Sequence, residues 1–225
     1  MKYKAIIFDF DGVLNDTESI KFSIWKKVIG KPLSKQEYIK KYCGRSAEFI
    51  AAAYRKEINL KQSVEEIVAK NKEVSKIILL KDIRPIKRNI EFLKKCYKIE
   101  NLKIGLASSQ ERSILVPSLK RLNIQKYFTR ILAGHEIKRM KPAPDIYLAI
   151  CKKLGVKPKE AIVIEDSQAG VESAAAAGIG LIVAIPREFT KLQDFSRSHI
   201  VIGMNIRAKK GQLKLSGVDK LLKML

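Results

Sequence analysis

The chain has little cysteine, little histidine and few acidic groups, and each scarcity removes a class of function. Its three cysteines, Cys43, Cys96 and Cys151, are odd in number, far apart and form no CxxC pair. Neither a disulfide framework nor a thiolate zinc site is therefore expected. The two histidines, His135 and His199, stand alone, which argues against a histidine metal centre. No run of ~18 apolar residues occurs, so no membrane partner is expected. The opening residues lack the long apolar stretch and small-residue cleavage site of a secretory leader, and a cytoplasmic location is the expectation. There is also no internal repeat, low-complexity tract or Gly/Ser-rich linker, so any two parts of the chain should be joined by short, stiff hinges.

Asp and Glu number only 23 against 45 Lys and Arg, a formal net charge of +22. Such an excess draws in anions of every kind, including nucleic acid, anionic lipid and phosphorylated metabolites. The basic residues are spread through every predicted helix, although Arg207, Lys209, Lys210, Lys214, Lys220 and Lys223 thicken the C-terminal end. That dispersion predicts a solvated surface in preference to a nucleic-acid patch.

What is present is enough apolar residue, 46% of 225, for one compact core and a smaller inserted unit. Lys4 to Phe10 is an apolar run ending in acidic residues. Similar runs recur at Lys103 to Ala107, Arg130 to Ala133, Ala161 to Ile164 and Leu181 to Ile185, and each predicts a strand buried on both faces. Amphipathic stretches at Ile86 to Tyr97, Ile114 to Leu122 and Asp145 to Leu154 separate them, the alternation of a parallel sheet with helical crossovers. Residues 16–81 break the pattern. There Phe22, Trp25, Val28 and Ile29 form one helical stripe and Ile67, Val74, Ile77 and Ile78 another. Ser34 with Glu37 and Ser63 with Glu66 have capping-box spacing. The expected architecture is an α/β, Rossmann-like three-layer core with a parallel sheet, from residues 1–15 and 82–225, carrying an all-helical insert at 16–81.

Chemistry gathers at the strand ends. Asp9 and Asp11 of Asp9-Phe10-Asp11-Gly12 lie two apart on extended chain and can face one site, with Gly12 allowing a sharp turn. Glu165-Asp166-Ser167 repeats the arrangement after a second buried run. Two acidic strand ends together suggest an oxygen-ligated magnesium ion. Ser108-Ser109-Gln110-Glu111, after a third run, offers hydroxyls and free amides suited to phosphate, although Ser108 with Glu111 also fits a capping box. Lys141, in Lys141-Pro142-Ala143-Pro144-Asp145, precedes a helix through a stiff Pro-containing approach.

Asp9-Phe10-Asp11-Gly12-Val13, Ser108, Lys141-Pro142 and Glu165-Asp166 occur in the order and spacing of the four motifs of the haloacid dehalogenase-like superfamily, which the chain resembles over nearly its whole length. It is most similar to the branch containing β-phosphoglucomutase and small-metabolite phosphatases. The resemblance implies that Asp9 is a nucleophile forming a phosphoaspartate and that Asp11 is the general acid and base. It implies that Asp9, the Asp11 carbonyl and Asp166 hold Mg2+, assisted by Glu165. Ser108, Ser109 and Lys141 would bind the phosphoryl group; apart from the resemblance, Lys21 and Arg45 of the helical cap are the candidates for setting specificity, Lys21 by binding an anionic group of the substrate and Arg45 by lining the entrance. The second aspartate of the first motif, Asp11, speaks against dehalogenase and phosphonatase chemistry. β-Phosphoglucomutases carry a histidine where this chain has Lys21, which favours a phosphatase acting on a small phosphorylated metabolite over a sugar-phosphate mutase. A basic nucleic-acid-binding protein with an idle hydrolase fold is the alternative from another class. The oligomeric state is not encoded in any of these features.

Overall fold

The structure is a computed structural model that describes residues 2–43, 45, 47–203, 212–215 and 217–224. The basic residues Arg207, Lys209 and Lys210, and the side chain of Lys214, lie outside that description.

Five of the strands are those expected from the sequence: β1 (Ala5–Phe8), β2 (Lys103–Ser108), β4 (Ala161–Glu165) and β5 (Leu181–Ala184) inside the sheet, and β3 (Arg130–Ala133) at one edge. Two short strands extend it, β6 (Ile200–Ile202) and β7 (Leu213–Leu215), giving a seven-stranded parallel sheet of order β3-β2-β1-β4-β5-β6-β7. β1 is central, with Phe8 opposite Leu106 on one side and Ile164 on the other. The next residues along β1, β2 and β4 therefore emerge at one edge.

Side-chain alternation divides the core into two layers. Ile6 and Phe8 of β1, with Ile162 and Ile164 of β4, pack beneath helices α5 (Lys87–Tyr97) and α6 (Arg112–Arg121). Ala5, Ile7, Ala161 and Val163 face the opposite layer with α7 (Asp145–Leu154) and α8 (Gln168–Ala176). The three-layer α/β core expected from the sequence is thus present.

Between β1 and α5 the chain is helical: α1 (Thr17–Ile29), α2 (Lys35–Glu37) running into a π-helical turn at Tyr38–Tyr42, α3 (Ala47–Glu57) and α4 (Val64–Lys81). Ser63 and Glu66 form the full capping box of α4, the side chain of each accepting the other's amide at 3.2 and 2.7 Å. Ser34 makes half of one, accepting only from the Glu37 amide. The inward stripe of α1 contains Ile20, Ile24, Trp25, Val28 and Ile29. On α4 Ile67 and Leu79 are buried while Ile77 is 50% exposed, so Ile77 lies off the stripe to which its spacing assigned it.

The two connections to the core run side by side. Arg84 N–H donates to the Asn15 side-chain oxygen at 2.7 Å, Asp16 N–H to the Arg84 carbonyl at 2.8 Å and Ile86 N–H to the Leu14 carbonyl at 2.9 Å. Among the described residues no helix is long and apolar enough to cross a membrane.

Candidate active site

Asp9 leaves β1 with its amide bonded to the Ile164 carbonyl at 3.0 Å, which fixes the carboxylate at the sheet edge. The chain then turns at Gly12, whose φ of +71° is in the left-handed region. A Cβ added there would lie 1.8 Å from Asp166 Oδ2. Gly12 is therefore required for both its backbone conformation and the room it leaves Asp166. Gly12→Ala is expected to lower activity at least about 100-fold by displacing Asp166, with a smaller loss of folding stability. Parallel turnover and thermal-melting measurements on the variant check this.

Lys141 reaches in beneath Asp9. Its Nζ donates to Asp9 Oδ1 at 2.8 Å, Glu165 Oε1 at 2.6 Å and the Ala107 carbonyl at 3.3 Å, using all three ammonium hydrogens. It also sits 5.1 Å from the Tyr147 ring centroid. Burial alone would lower its pKa, but Asp9 and Glu165 outweigh that and push it well above the usual lysine range. Lys141 is accordingly a permanent cation.

Glu165 is completely buried and its oxygens are crowded with donors. Oε1 accepts from Lys141 and, at 2.5 Å, from the Tyr147 hydroxyl. Oε2 accepts from the amides of Asp166 and Ser167 and from the Ser167 hydroxyl at 3.1, 3.4 and 3.2 Å. No sequence pattern marks Tyr147, which reads as an apolar core position on α7. Its ring is buried in the core, where it also faces the Lys141 ammonium, and its hydroxyl bonds Glu165.

One carboxylate oxygen from each of Asp9, Glu165 and Asp166 falls within 4.8 Å of the others, and all three residues are buried. Burial, against the pull of Lys141 and with the push of Glu165 and Asp11, raises the Asp9 carboxyl from 3.8 to about 7. Burial and then the charges of Glu165 and Asp9 likewise push Asp166 up. Three buried carboxyl groups share the one ammonium of Lys141, and an all-oxygen cluster with such an excess of acidic groups suits a hard divalent cation.

Asp11 lines a cavity of about 360 Å³ that runs from Asp9, Lys141 and Asp166 to α1 and α3, a volume in the range of small-ligand sites. Asp11 Oδ1 accepts from the Gln110 side-chain amide at 3.4 Å, and Lys21 Nζ lies 3.8 Å from Oδ2. Ser109 lines the cavity. Ser108 is buried beneath it, its hydroxyl accepting from the Gln110 amide at 3.1 Å. The Ser108–Glu111 capping box is not formed: Glu111 itself occupies the N-cap of α6, so Ser108 closes the preceding turn.

Lys21 and Arg45 both face the cavity from the helical side. Lys21 is tied to Glu18 Oε1 at 2.7 Å, and the Arg45 guanidinium lies 5.2 Å from the Phe49 ring. Glu18 is a cavity residue that the sequence reading missed. Burial would raise its pKa, yet Lys21 and the donors Cys43 and Tyr38 hold it below the ordinary carboxylate range. Its three-residue offset from Lys21 was visible, but such pairs are commonplace on solvent-facing helices. Neither histidine lines the cavity; His199 Nδ1 accepts from the Ile182 amide at 3.0 Å, a structural bond beside the sheet.

Residues 6–184 match the family described as haloacid dehalogenase-like hydrolase. Among curated relatives, the phosphorylated carbohydrates phosphatase of Thermotoga maritima is 32% identical over 188 residues, 81% of this chain and 85% of that protein. The β-phosphoglucomutase of Bacillus subtilis is 30% identical over 190 residues, 78% of this chain and 80% of its own. In fold, the chain is similar to crystalline CbbY from Rhodobacter sphaeroides in complex with phosphate, with a TM-score of 0.74, 20% identity and coverage of 96% and 99% of the two chains.

Proposed function

This chain belongs to the haloacid dehalogenase-like hydrolases and is a phosphoric monoester hydrolase, and on that premise we propose that it is a magnesium-dependent phosphatase of small phosphorylated sugars. The observation that carries this is the placement of Asp9: a buried carboxylate held by Lys141, with Asp11 two residues on lining the same cavity. Relatives named as phosphatases of phosphorylated carbohydrates support the sugar phosphate as substrate class.

Asp9 attacks phosphorus, forming an aspartyl phosphate as the bond to the ester oxygen breaks. Asp11 gives its proton to that departing oxygen. Water then attacks the phosphorus while Asp11 takes up its proton, the bond to Asp9 breaks, and inorganic phosphate leaves with Asp9 restored as a carboxylate and Asp11 as its protonated acid. Lys141 orients Asp9 through Oδ1 and offsets negative charge between carboxylate and phosphate. Ser109, with Ser108 shaping the turn beneath it, presents donors to the phosphoryl oxygens.

Asp9, Asp166 and the Asp11 carbonyl would hold magnesium, which supplies further neutralisation of the phosphoryl charge. Glu165 supports that site indirectly. Both its oxygens are already occupied by hydrogen-bond donors, so its part is to hold Lys141 and the Asp166–Ser167 backbone. Residues 16–81 act as the specificity cap, with Lys21 and Arg45 facing the part of the substrate beyond its phosphate.

Purified protein is expected to release phosphate from sugar phosphates in magnesium and to lose at least about 100-fold of that rate when the ion is chelated. A colorimetric assay across sugar phosphates, nucleotides and phosphoglycolate measures this. No release from any of them would remove the phosphatase reading, and conversion of β-glucose 1-phosphate with a bisphosphate activator would put a mutase in its place.

A further inference from the structure

The segment after β5 follows the core in chain order, yet it is packed into the helical cap. Phe189 is 5% exposed and belongs to the apolar cluster of α1 to α4. Its ring centroid lies 6.0 Å from that of Phe22 and 5.9 Å from that of Tyr38, which are themselves 5.3 Å apart. Lys35, at the start of α2, closes over this triad. Its ammonium is 2.6 Å from Glu188 Oε2 and 5.0 Å from the Phe189 ring centroid.

Four residues further on, Gln193 joins the two units at the substrate cavity. Its Oε1 accepts from the amide of Gln168, the first residue of α8 and two beyond Asp166, at 2.9 Å. Its Nε2 donates to the Cys43 carbonyl in the cap at 3.4 Å. Gln168 reciprocates, its own side-chain oxygen accepting from the Asp194 amide at 3.1 Å. Thr190 closes the intervening turn by accepting the Arg187 amide at 2.9 Å. Thr190 and Gln193 both line the cavity.

We infer that residues 186–195 form a core-borne specificity wall, in which Phe189 is the anchor and Gln193 the residue that positions the part of the substrate beyond its phosphate. This deepens the phosphatase reading and rests on it. Asp9, Asp11 and Lys141 treat every phosphate ester alike, so discrimination comes from groups facing the remainder of the ligand. A side-chain amide has two donor hydrogens and two acceptor lone pairs. Gln193 uses one of each on Cys43 and Gln168, which fixes its orientation and leaves one of each for a hydroxyl-bearing substrate. The wall keeps that orientation only while Phe189 remains seated in the cap.

The test compares wild type with Phe189→Ala, the conservative Phe189→Leu and Gln193→Ala. Acetyl phosphate serves as a probe with almost nothing beyond the phosphate, and fructose 1-phosphate and glucose 6-phosphate as probes with hydroxyls. Phe189→Ala and Gln193→Ala are expected to raise KM for the sugar phosphates about 10-fold while leaving kcat and KM for acetyl phosphate within about 2-fold, and Phe189→Leu should recover most of the loss.

Trp25, the chain's one tryptophan, is 4% exposed and lines the same cavity. Acrylamide quenching of its fluorescence therefore reads the anchor without turnover, and should rise about 3-fold in Phe189→Ala but not in Phe189→Leu. KM values for all three probes moving together, or quenching unchanged in Phe189→Ala, would overturn the inference. If Phe189→Ala loses its circular dichroism, Gln193→Ala alone decides through the KM comparison. Absence of wild-type turnover on every probe would defeat the phosphatase reading instead, and the quenching result would still judge the anchor.

Discussion

Asp9→Asn is expected to reduce phosphate release by about 10⁴-fold or more, because it removes the nucleophile and with it the covalent route. Its effect on folding should run the other way. The folded Asp9 carboxyl holds its proton up to about 7, against an ordinary 3.8. A group whose pKa is raised by folding contributes stability that is complete below about 3.8 and is lost as the pH climbs through 7. At pH 8 without metal the wild type thus carries a buried charge, crowded by Glu165 and Asp11, that asparagine lacks. Lys141 still finds Glu165 at 2.6 Å in the variant, so it is not left without a counter-charge. Thermal melting in chelator at pH 8 should show the variant at or a few degrees above wild type, from about 1–2 kcal/mol of relief. Magnesium should then stabilise the wild type more than the variant. An inactive variant melting well below wild type in chelator would instead mean that Asp9 is mainly a structural partner of Lys141.

The same residue illustrates what a sequence can disclose. β1, β4 and β5 are legible because a strand covered on both faces is apolar along its length, and such a run ending in Asp9 or Glu165 signals a break at the sheet edge; β2 and β3 show the same run after an exposed basic first residue. β6 and β7 escaped because three residues each are too few to show a period. The helical character of residues 17–81 was likewise plain from spacing. Ile77 shows the limit: a helical stripe has a width, and the residue at its margin can turn to solvent.

In the site, the groups legible in advance sit at strand ends, where chain order and chemistry coincide. Those missed act through contacts with other elements. Tyr147 reaches Glu165 from α7, Glu18 meets Cys43 and Tyr38 within the cap, and Gln193 bridges α8 to the cap from a loop 25 residues beyond Gln168. No local pattern marks such a contact, because the partner is chosen by packing. Ser108 is the converse case. Its spacing to Glu111 met a capping rule that the structure satisfies differently, since α6 begins one residue after Glu111 and the serine hydroxyl serves the turn before it.

Lys141→Ala is expected to be the most damaging single change to stability. Asp9 and Glu165 are 8% and 0% exposed at their side chains, and Lys141 is the cation bonded to both. Removing one member of a buried ion cluster leaves the others charged and desolvated, a loss of about 3–5 kcal/mol. For a chain of this size that corresponds to a fall in melting temperature of roughly 10 °C. Activity should fall at least about 10³-fold, since both the orientation of Asp9 and the offset of phosphate charge are lost.

The pH dependence separates this account from simple cavity formation. Burial raises the folded-state pKa of Asp9 and Lys141 pulls it back, so without Lys141 it rises further and protonating Asp9 restores stability. The deficit relative to wild type should therefore shrink as the pH is lowered from 8 towards 5, whereas an emptied apolar volume would cost the same at both. Magnesium, by returning positive charge to Asp9, should recover part of the lost melting temperature. It should recover little of the activity, because Glu165 would still lack the ammonium that ties it to the nucleophile.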